Sequence, residues 1–194
     1  MSLRILKHFL VACCLLCTVP AFADELDLQT VLARTTITPP SRVDFREVRH
    51  NRLLKDDLVI TGFLEYLQEG SLRKVIESPF AEAYLIQDNR IEIDRAGVTK
   101  TLSLNKSRSL RTMLGGIEAI LAGQTEQLTS VFHSELSGVD DDWSLQLRPR
   151  SRRIAKQLTS LTVTGNRESI TTIRFDLKDG EWHYMEIQAT DPDS

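Results

Sequence analysis

The chain has 194 residues, of which 41% are hydrophobic, 26% charged and only 6% aromatic, and its formal net charge is −3. Those proportions suit a globular protein and exclude a disordered, collagen-like or multi-span membrane chain. The mild acidity lacks the concentrated basic face that nucleic-acid binding demands, so no nucleic-acid partner is expected.

Residues 1–23 read as a secretory leader. Arg4 and Lys7 form a charged start, an apolar run follows from Phe9 to Val19, and Ala21-Phe22-Ala23 supplies the small residues a signal peptidase needs. The run is shorter than the ~20 apolar residues of a membrane span. Leu10-Val11-Ala12-Cys13 has the residue types of a lipoprotein cleavage box, but too few apolar residues precede that cysteine. Cleavage before Asp24 is therefore expected, leaving residues 24–194 as one exported domain. Cys13, Cys14 and Cys17 leave with the leader. The remainder has no disulfide or thiolate metal site to stabilise it, so its apolar core must do so. The expected compartment is a bacterial periplasm.

Along that domain, Leu28, Val31 and Leu32 share one face of a short helix over 25–34. Thr38-Pro39-Pro40-Ser41 ends it, because proline cannot continue a helix and restricts its predecessor. From Arg42 the period falls to two, with Val43 and Phe45 alternating against Arg42, Asp44 and Arg46. A longer strand runs from Leu58 to Leu67, and shorter ones are predicted around 72–77, 80–88, 90–95 and 98–104. Asp88-Asn89 and Ala96-Gly97 mark tight turns between them.

The period then becomes helical. Leu110, Met113, Leu114, Ile117, Ile120 and Leu121 form one stripe between Ser107 and Ala122. A second helix opens at Thr125, a candidate N-cap, with Leu128, Val131 and Phe132 as its stripe. Gly115-Gly116 inside the first helix costs about 1 kcal/mol per glycine relative to alanine. Close packing or a movable helix would each account for the pair. Strands resume at Trp143, Leu145 and Leu147, at Ile173, Phe175 and Leu177, and from Trp182 to Gln188, with Asp179-Gly180 as a hairpin turn. About nine to eleven antiparallel strands and three helices are expected, an α+β chain without internal repeats.

Catalytic patterns are missing. There is no Gly-x-Ser-x-Gly elbow, no phosphate-binding glycine loop and no His-Glu-x-x-His helix, and His50, His133 and His183 stand far apart. Asp140-Asp141-Asp142 lacks the glycine placement and distal glutamate of a calcium loop and reads as a solvated turn. No enzyme activity, cofactor or metal is expected. Arg148, Arg150, Arg152 and Arg153 form the densest basic cluster, with no compensating acid nearby in sequence. They fit a docking site for an acidic partner or anionic lipid headgroups, or a solvated corner between strands.

Three segments carry a resemblance. Thr61-Gly62-Phe63-Leu64-Glu65-Tyr66 resembles a Gly-x-Leu strand, Ser78-Pro79-Phe80-Ala81-Glu82 followed by Tyr84 to Asn89 a proline corner and strand, and Trp143 to Pro149 a Leu-x-Pro strand end. In that order they resemble the periplasmic outer-membrane lipoprotein carriers, the LolA-like family, over most of residues 25–188. The resemblance implies a strongly curved antiparallel sheet, an unclosed β-barrel, with an N-terminal helix and a central helical lid. The implied function is a monomeric carrier that shields the acyl chains of a lipoprotein or lipid between an inner-membrane donor complex and an outer-membrane acceptor. Water exposure of an acyl chain costs about 0.8 kcal/mol per methylene, so an apolar enclosure is required.

The lining implied is Leu64, Tyr66, Tyr84, Ile86, Ile91, Ile93, Met113, Leu114, Ile117, Trp143, Leu145 and Leu147, with Gly115 and Gly116 as lid hinge. The same residues at the same periods also describe a filled core. Two departures stand out: the family's basic residue and proline after the Gly62 strand give way to Gln68-Glu69, and Asn89 replaces the usual glycine. The first removes the lid's expected latch, and a free lipid, glycolipid or lipidic pigment precursor becomes an alternative cargo. The competing reading is a non-enzymatic periplasmic adaptor of an envelope assembly or pigment export system.

Overall fold

The computed structural model describes residues 26–68 and 70–188; the leader predicted over 1–23 lies outside them. Helix α1 (Leu28–Arg34) leads into strands β1 (Ser41–His50), β2 (Leu58–Gln68), β3 (Ser71–Ser78), β4 (Glu82–Gln87), β5 (Arg90–Arg95) and β6 (Val98–Ser103). Helices α2 (Arg108–Leu121) and α3 (Thr125–Val131) follow, then β7 (Phe132–Val139), β8 (Asp142–Pro149), β9 (Leu158–Asn166), β10 (Ser169–Leu177) and β11 (Trp182–Gln188). All eleven strands join one sheet in the order β6-β5-β4-β3-β2-β1-β11-β10-β9-β8-β7, antiparallel throughout. β6 and β7 are its edges and do not pair, so the barrel is unclosed. α2 and α3 connect those edges and must cross the gap between them.

Local chemistry explains the elements. The Asp27 carboxylate caps α1 by accepting from the Gln29 and Thr30 amides, and the Ser107 hydroxyl caps α2 by accepting from Leu110 N. The predicted cap at Thr125 is displaced: Gln124 holds the cap position and Thr125 is the first helical residue. Phe132, read as part of that helix's stripe, instead opens β7 and points inward, opposite Pro149. β7 and β9 escape simple alternation because serine and glycine occupy β7's inner face and Gly165 interrupts that of β9. Asp88 and Asn89 both have positive φ, 49° and 59°, and asparagine tolerates that region, so it serves where the family uses glycine.

Register places one side-chain set on the inner face. Phe45 stands opposite Gly62 and Ile187, Leu64 opposite Val43 and Lys74, and Trp143 opposite Gly165. At Gly62 a Cβ would lie 1.9 Å from the Val75 carbonyl oxygen, so β2 and β3 can approach there only without a side chain. Two packed clusters result. The larger joins all three helices to β7–β10, with Leu128, Phe132, Leu145 and Leu147 fully buried. The smaller lies among β1–β4, β10 and β11 around Phe45, Ile60, Ile76 and Met185.

The alternation of β1 continues inward as charge. Glu47 is only 3% exposed, with Lys74 and Arg49 on its carboxylate; Arg49 Nε lies 2.8 Å and His183 Nδ1 3.4 Å away. The Lys74 ammonium also sits 4.6 Å over the Phe45 ring. Burial pushes the Glu47 carboxyl up, but Lys74 and Arg49 outweigh it and hold the group below the usual glutamate range. Burial lowers Lys74, an effect Glu47 only partly offsets, and burial likewise lowers His183. Glu47 therefore contributes stability above the ordinary glutamate pKa that is lost as pH falls. His183 acts in the same direction, since below its ordinary value it must accept a proton that the fold disfavours. Removing Lys74 leaves a buried carboxylate with Arg49 as its remaining strong cationic partner, beside a His183 whose protonation burial disfavours. Lys74→Met should cost about 3 kcal/mol in urea unfolding at neutral pH, the low end for a broken buried pair.

Candidate functional site

The inner face is not filled evenly. Between α2 and the β1, β2, β10 and β11 side of the sheet lies a cleft of about 370 Å³. Its walls are Val43, Leu64, Leu121, Ile170, Ile173 and Ile187, and polar Thr35, Asn166, Glu168 and Gln188 contribute to its lining. The volume lies within the ~300–1,000 Å³ of small-ligand sites. β1 and β11 separate β2 from β10 in the sheet, yet Leu64 and Ile173 line one cleft, which shows how strongly the sheet curves.

Beside it runs a narrow slot of about 40 Å³ between α2 and β2–β4, lined by Tyr66, Leu72, Ile86, Leu114, Ile117 and Glu118 among others. Leu121 borders both spaces, so α2 is the partition between slot and cleft. The helix is fastened at its C-terminal end. Its Ala119 and Ile120 are buried, and the Ile37 amide donates to Leu121 O at 2.9 Å. Toward its N-terminus, Met113 and Leu114 are only half-buried.

The expected lining residues divide accordingly. Leu64 borders the cleft; Tyr66, Ile86, Leu114 and Ile117 border the slot. Trp143, Leu145 and Leu147 lie in the packed cluster under the helices, at most 2% exposed, and Met113 packs against that cluster. Tyr84 joins the smaller cluster, where burial, then the nearby Glu82 carboxylate, raises its phenol. Ile91 and Ile93 face inward on β5, outside both spaces. The cleft's other apolar walls carried a usable signal: Val43, Ile173 and Ile187 share the inner phase of their strands.

The glycine pair separates into two roles. A Cβ on Gly116 would lie 2.4 Å from Phe132 Cε2, so this glycine lets α2 press onto the ring. Gly115 is open, its nearest neighbour for a Cβ being Gln127 Nε2 at 3.7 Å. The arginine cluster also separates. Arg148 pairs with Glu135 at 3.2 Å, so the expected absence of compensating acid fails: the acid comes from the neighbouring strand. Arg150 Nε donates to Thr129 O at 2.7 Å and Phe132 O at 3.0 Å, tying the β8 end to the turn from α3 into β7. Arg152 and Arg153 remain exposed.

An unclosed antiparallel half-barrel with a helical cover and an apolar cleft beneath it defines a cavity scaffold. Residues 20–189 match the family described as outer membrane lipoprotein carrier protein LolA-like, and the chain belongs to that family. Solved structures similar to it include a LolA superfamily protein from Nitrosomonas europaea, at 13% identity and TM-score 0.44 over 84% of this chain and 92% of that one. Lipoprotein LppX from Mycobacterium tuberculosis is 9% identical, TM-score 0.44, over 83% and 93%. The Pseudomonas aeruginosa MucA/MucB complex is 13% identical, TM-score 0.42, over 87% and 60%. Likeness at this level says nothing of cargo or partners. No curated protein matches the sequence.

Opposite effects are expected at the glycine pair. Gly115→Ala should stabilise by up to about 1 kcal/mol through helix propensity. Gly116→Ala should destabilise by about 1–3 kcal/mol through overpacking against Phe132. Thermal unfolding of the two single variants reads both signs.

Proposed function

We propose that the chain is a non-enzymatic carrier which, after removal of residues 1–23, shields the acyl chains of a lipoprotein or lipid in its cleft. It would travel as a monomer through the periplasm from an inner-membrane donor complex towards an outer-membrane acceptor. Family membership supports the class, and the observation that carries the reading is the apolar cleft between Leu64, Leu121, Ile173 and Ile187. Glu168, Asn166 and Gln188 give the same cleft a polar margin on which a headgroup or acylated N-terminus could rest while its chains lie on the isoleucines.

α2 acts as the lid. Opening its half-buried N-terminal half would widen the slot beside the cleft, while Ala119, Ile120 and the Ile37 bond keep the C-terminal end, with Leu121 between the two spaces, in place. Gly115 is then the natural point of flexure and Gly116 the point of contact.

Mass spectrometry of protein purified from the periplasm without detergent should show co-purifying acylated species. Ile170→Trp, which fills the cleft from its side, should weaken binding of a fluorescent fatty-acyl probe about tenfold or more while leaving thermal stability nearly unchanged. Gly115→Ala should slow release of the same probe. Protein without bound lipid, together with unaltered probe binding in Ile170→Trp, would refute the reading.

A further inference from the structure

The strands bring three loops to the end of the sheet opposite the cleft's polar margin: residues 51–57 between β1 and β2, 150–157 between β8 and β9, and 178–181 between β10 and β11. Hydrogen bonds chain the three together. Arg52 Nη1 donates to Asp179 O at 3.0 Å, and the Lys178 amide donates to Gln157 O at 3.0 Å.

This rim carries the most exposed large apolar side chain among the described residues. Leu53 is 91% exposed and its neighbour Leu54 52%. Their loop is built to present them. The Leu53 amide donates to Asn51 Oδ1 and the Leu54 amide to Asn51 O, both at 2.9 Å. At the base, His50 Nδ1 lies 2.7 Å from Asp57 Oδ1, and the His50 ring stacks on Trp182 with centroids 5.5 Å apart. Two leucines held out in water by an ordered turn lack any folding explanation, since neither joins a packed cluster.

Charge on the same rim is reversed relative to the rest of the protein. The three loops hold seven basic and four acidic residues, in a chain whose net charge is −3. Lys55, Arg152, Arg153, Lys156 and Lys178 are all exposed. One of the four acids is paired, Asp57 beside His50, and the backbone carbonyl of Asp179 holds Arg52. Apolar tips on a rim with surplus exposed cations match a bilayer surface with anionic headgroups, where leucines enter the acyl boundary and lysine or arginine meets phosphate.

We infer that this rim is a peripheral docking surface for an anionic lipid bilayer, with Leu53 and Leu54 inserted and Arg152, Arg153 and Lys55 on the headgroups. Docking by this end leaves the cleft's margin at Asn166 and Glu168 facing away from the membrane. The inference stands on exposure and charge, apart from the carrier reading.

The test uses the full chain expressed with its leader, purified after export, and vesicles of phosphatidylglycerol with phosphatidylethanolamine or of phosphatidylcholine alone. The protein should co-sediment with the anionic vesicles and be released by salt. L53S/L54S should reduce the bound fraction about tenfold or more, given the free energy of two buried leucines. R152Q/R153Q should reduce it about tenfold and flatten the salt dependence. Both variants should bind the fatty-acyl probe as the parent does, which separates failure of docking from failure of the carrier. Absence of binding to anionic vesicles, equal binding to phosphatidylcholine, or unchanged binding of L53S/L54S would overturn the inference. So would a rim that captures an acidic protein and no vesicle.

Discussion

Eleven antiparallel strands that curve without closing leave one concave apolar face and a gap between two edges. The chain crosses that gap once, from β6 to β7, by α2 and α3, and α1 adds seven residues of cover. This helical material fills the β7–β10 side, where Phe132 seats on Gly116 and Leu128, Leu145 and Leu147 lose all contact with water. It does not reach far enough to fill the β1–β2 and β10–β11 side. A tight core resists any loss of contact, so the unfilled side must be walled by residues that tolerate an empty neighbour. The hollow and the solid core are thus consequences of one mismatch between sheet width and helical cover.

The buried ion cluster is the second consequence. On the inner face beyond Phe45, alternation demands an inward side chain at Glu47, and the opposing strands supply Lys74 and His183. A lone carboxylate there would be untenable; with the Lys74 and Arg49 cations beside it, it keeps its charge. A polar floor at that end limits how deep an apolar chain can run along the strands, because extending past Phe45 would mean desolvating the cluster further. On β1, β2 and β11 the cleft's walls accordingly stop at Val43, Leu64 and Ile187.

Much of this was legible from residues alone, and the failures have physical reasons. The stripe from Leu110 to Leu121 marked α2, the turns at Asp88-Asn89 and Ala96-Gly97 marked two hairpins, and the order of motifs marked the family. Period two assigns a face, and Trp143, Leu145 and Leu147 indeed share one with Leu64 and Ile86. Period cannot say which part of that face a helix covers, because coverage is decided by where α2 and α3 land on strands far away in sequence. Phe132 has a helical spacing from Leu128, although the chain extends there to begin β7. Glu47 carries no inward signal in the sequence, because charge on a strand normally means the solvent face and its partner Lys74 lies two strands away.

The two ends of the sheet differ in a way that bears on how cargo moves. The end with the cleft's margin carries Asp88, Asp140, Asp141 and Glu168 on its turns, with Arg34 and Arg167 pairing two of them. The opposite end carries the leucine tip and the exposed arginines and lysines. On the docking inferred above, the surplus of exposed cations at the second end would orient the molecule at an anionic membrane surface with its cleft turned to the aqueous side. In that pose an acyl chain cannot pass directly between bilayer and cleft. On the carrier reading it would come from, or go to, a protein that reaches the outward end. Together the two proposals favour hand-off between proteins over extraction by the carrier itself, with the docking rim used for residence and the far end for exchange.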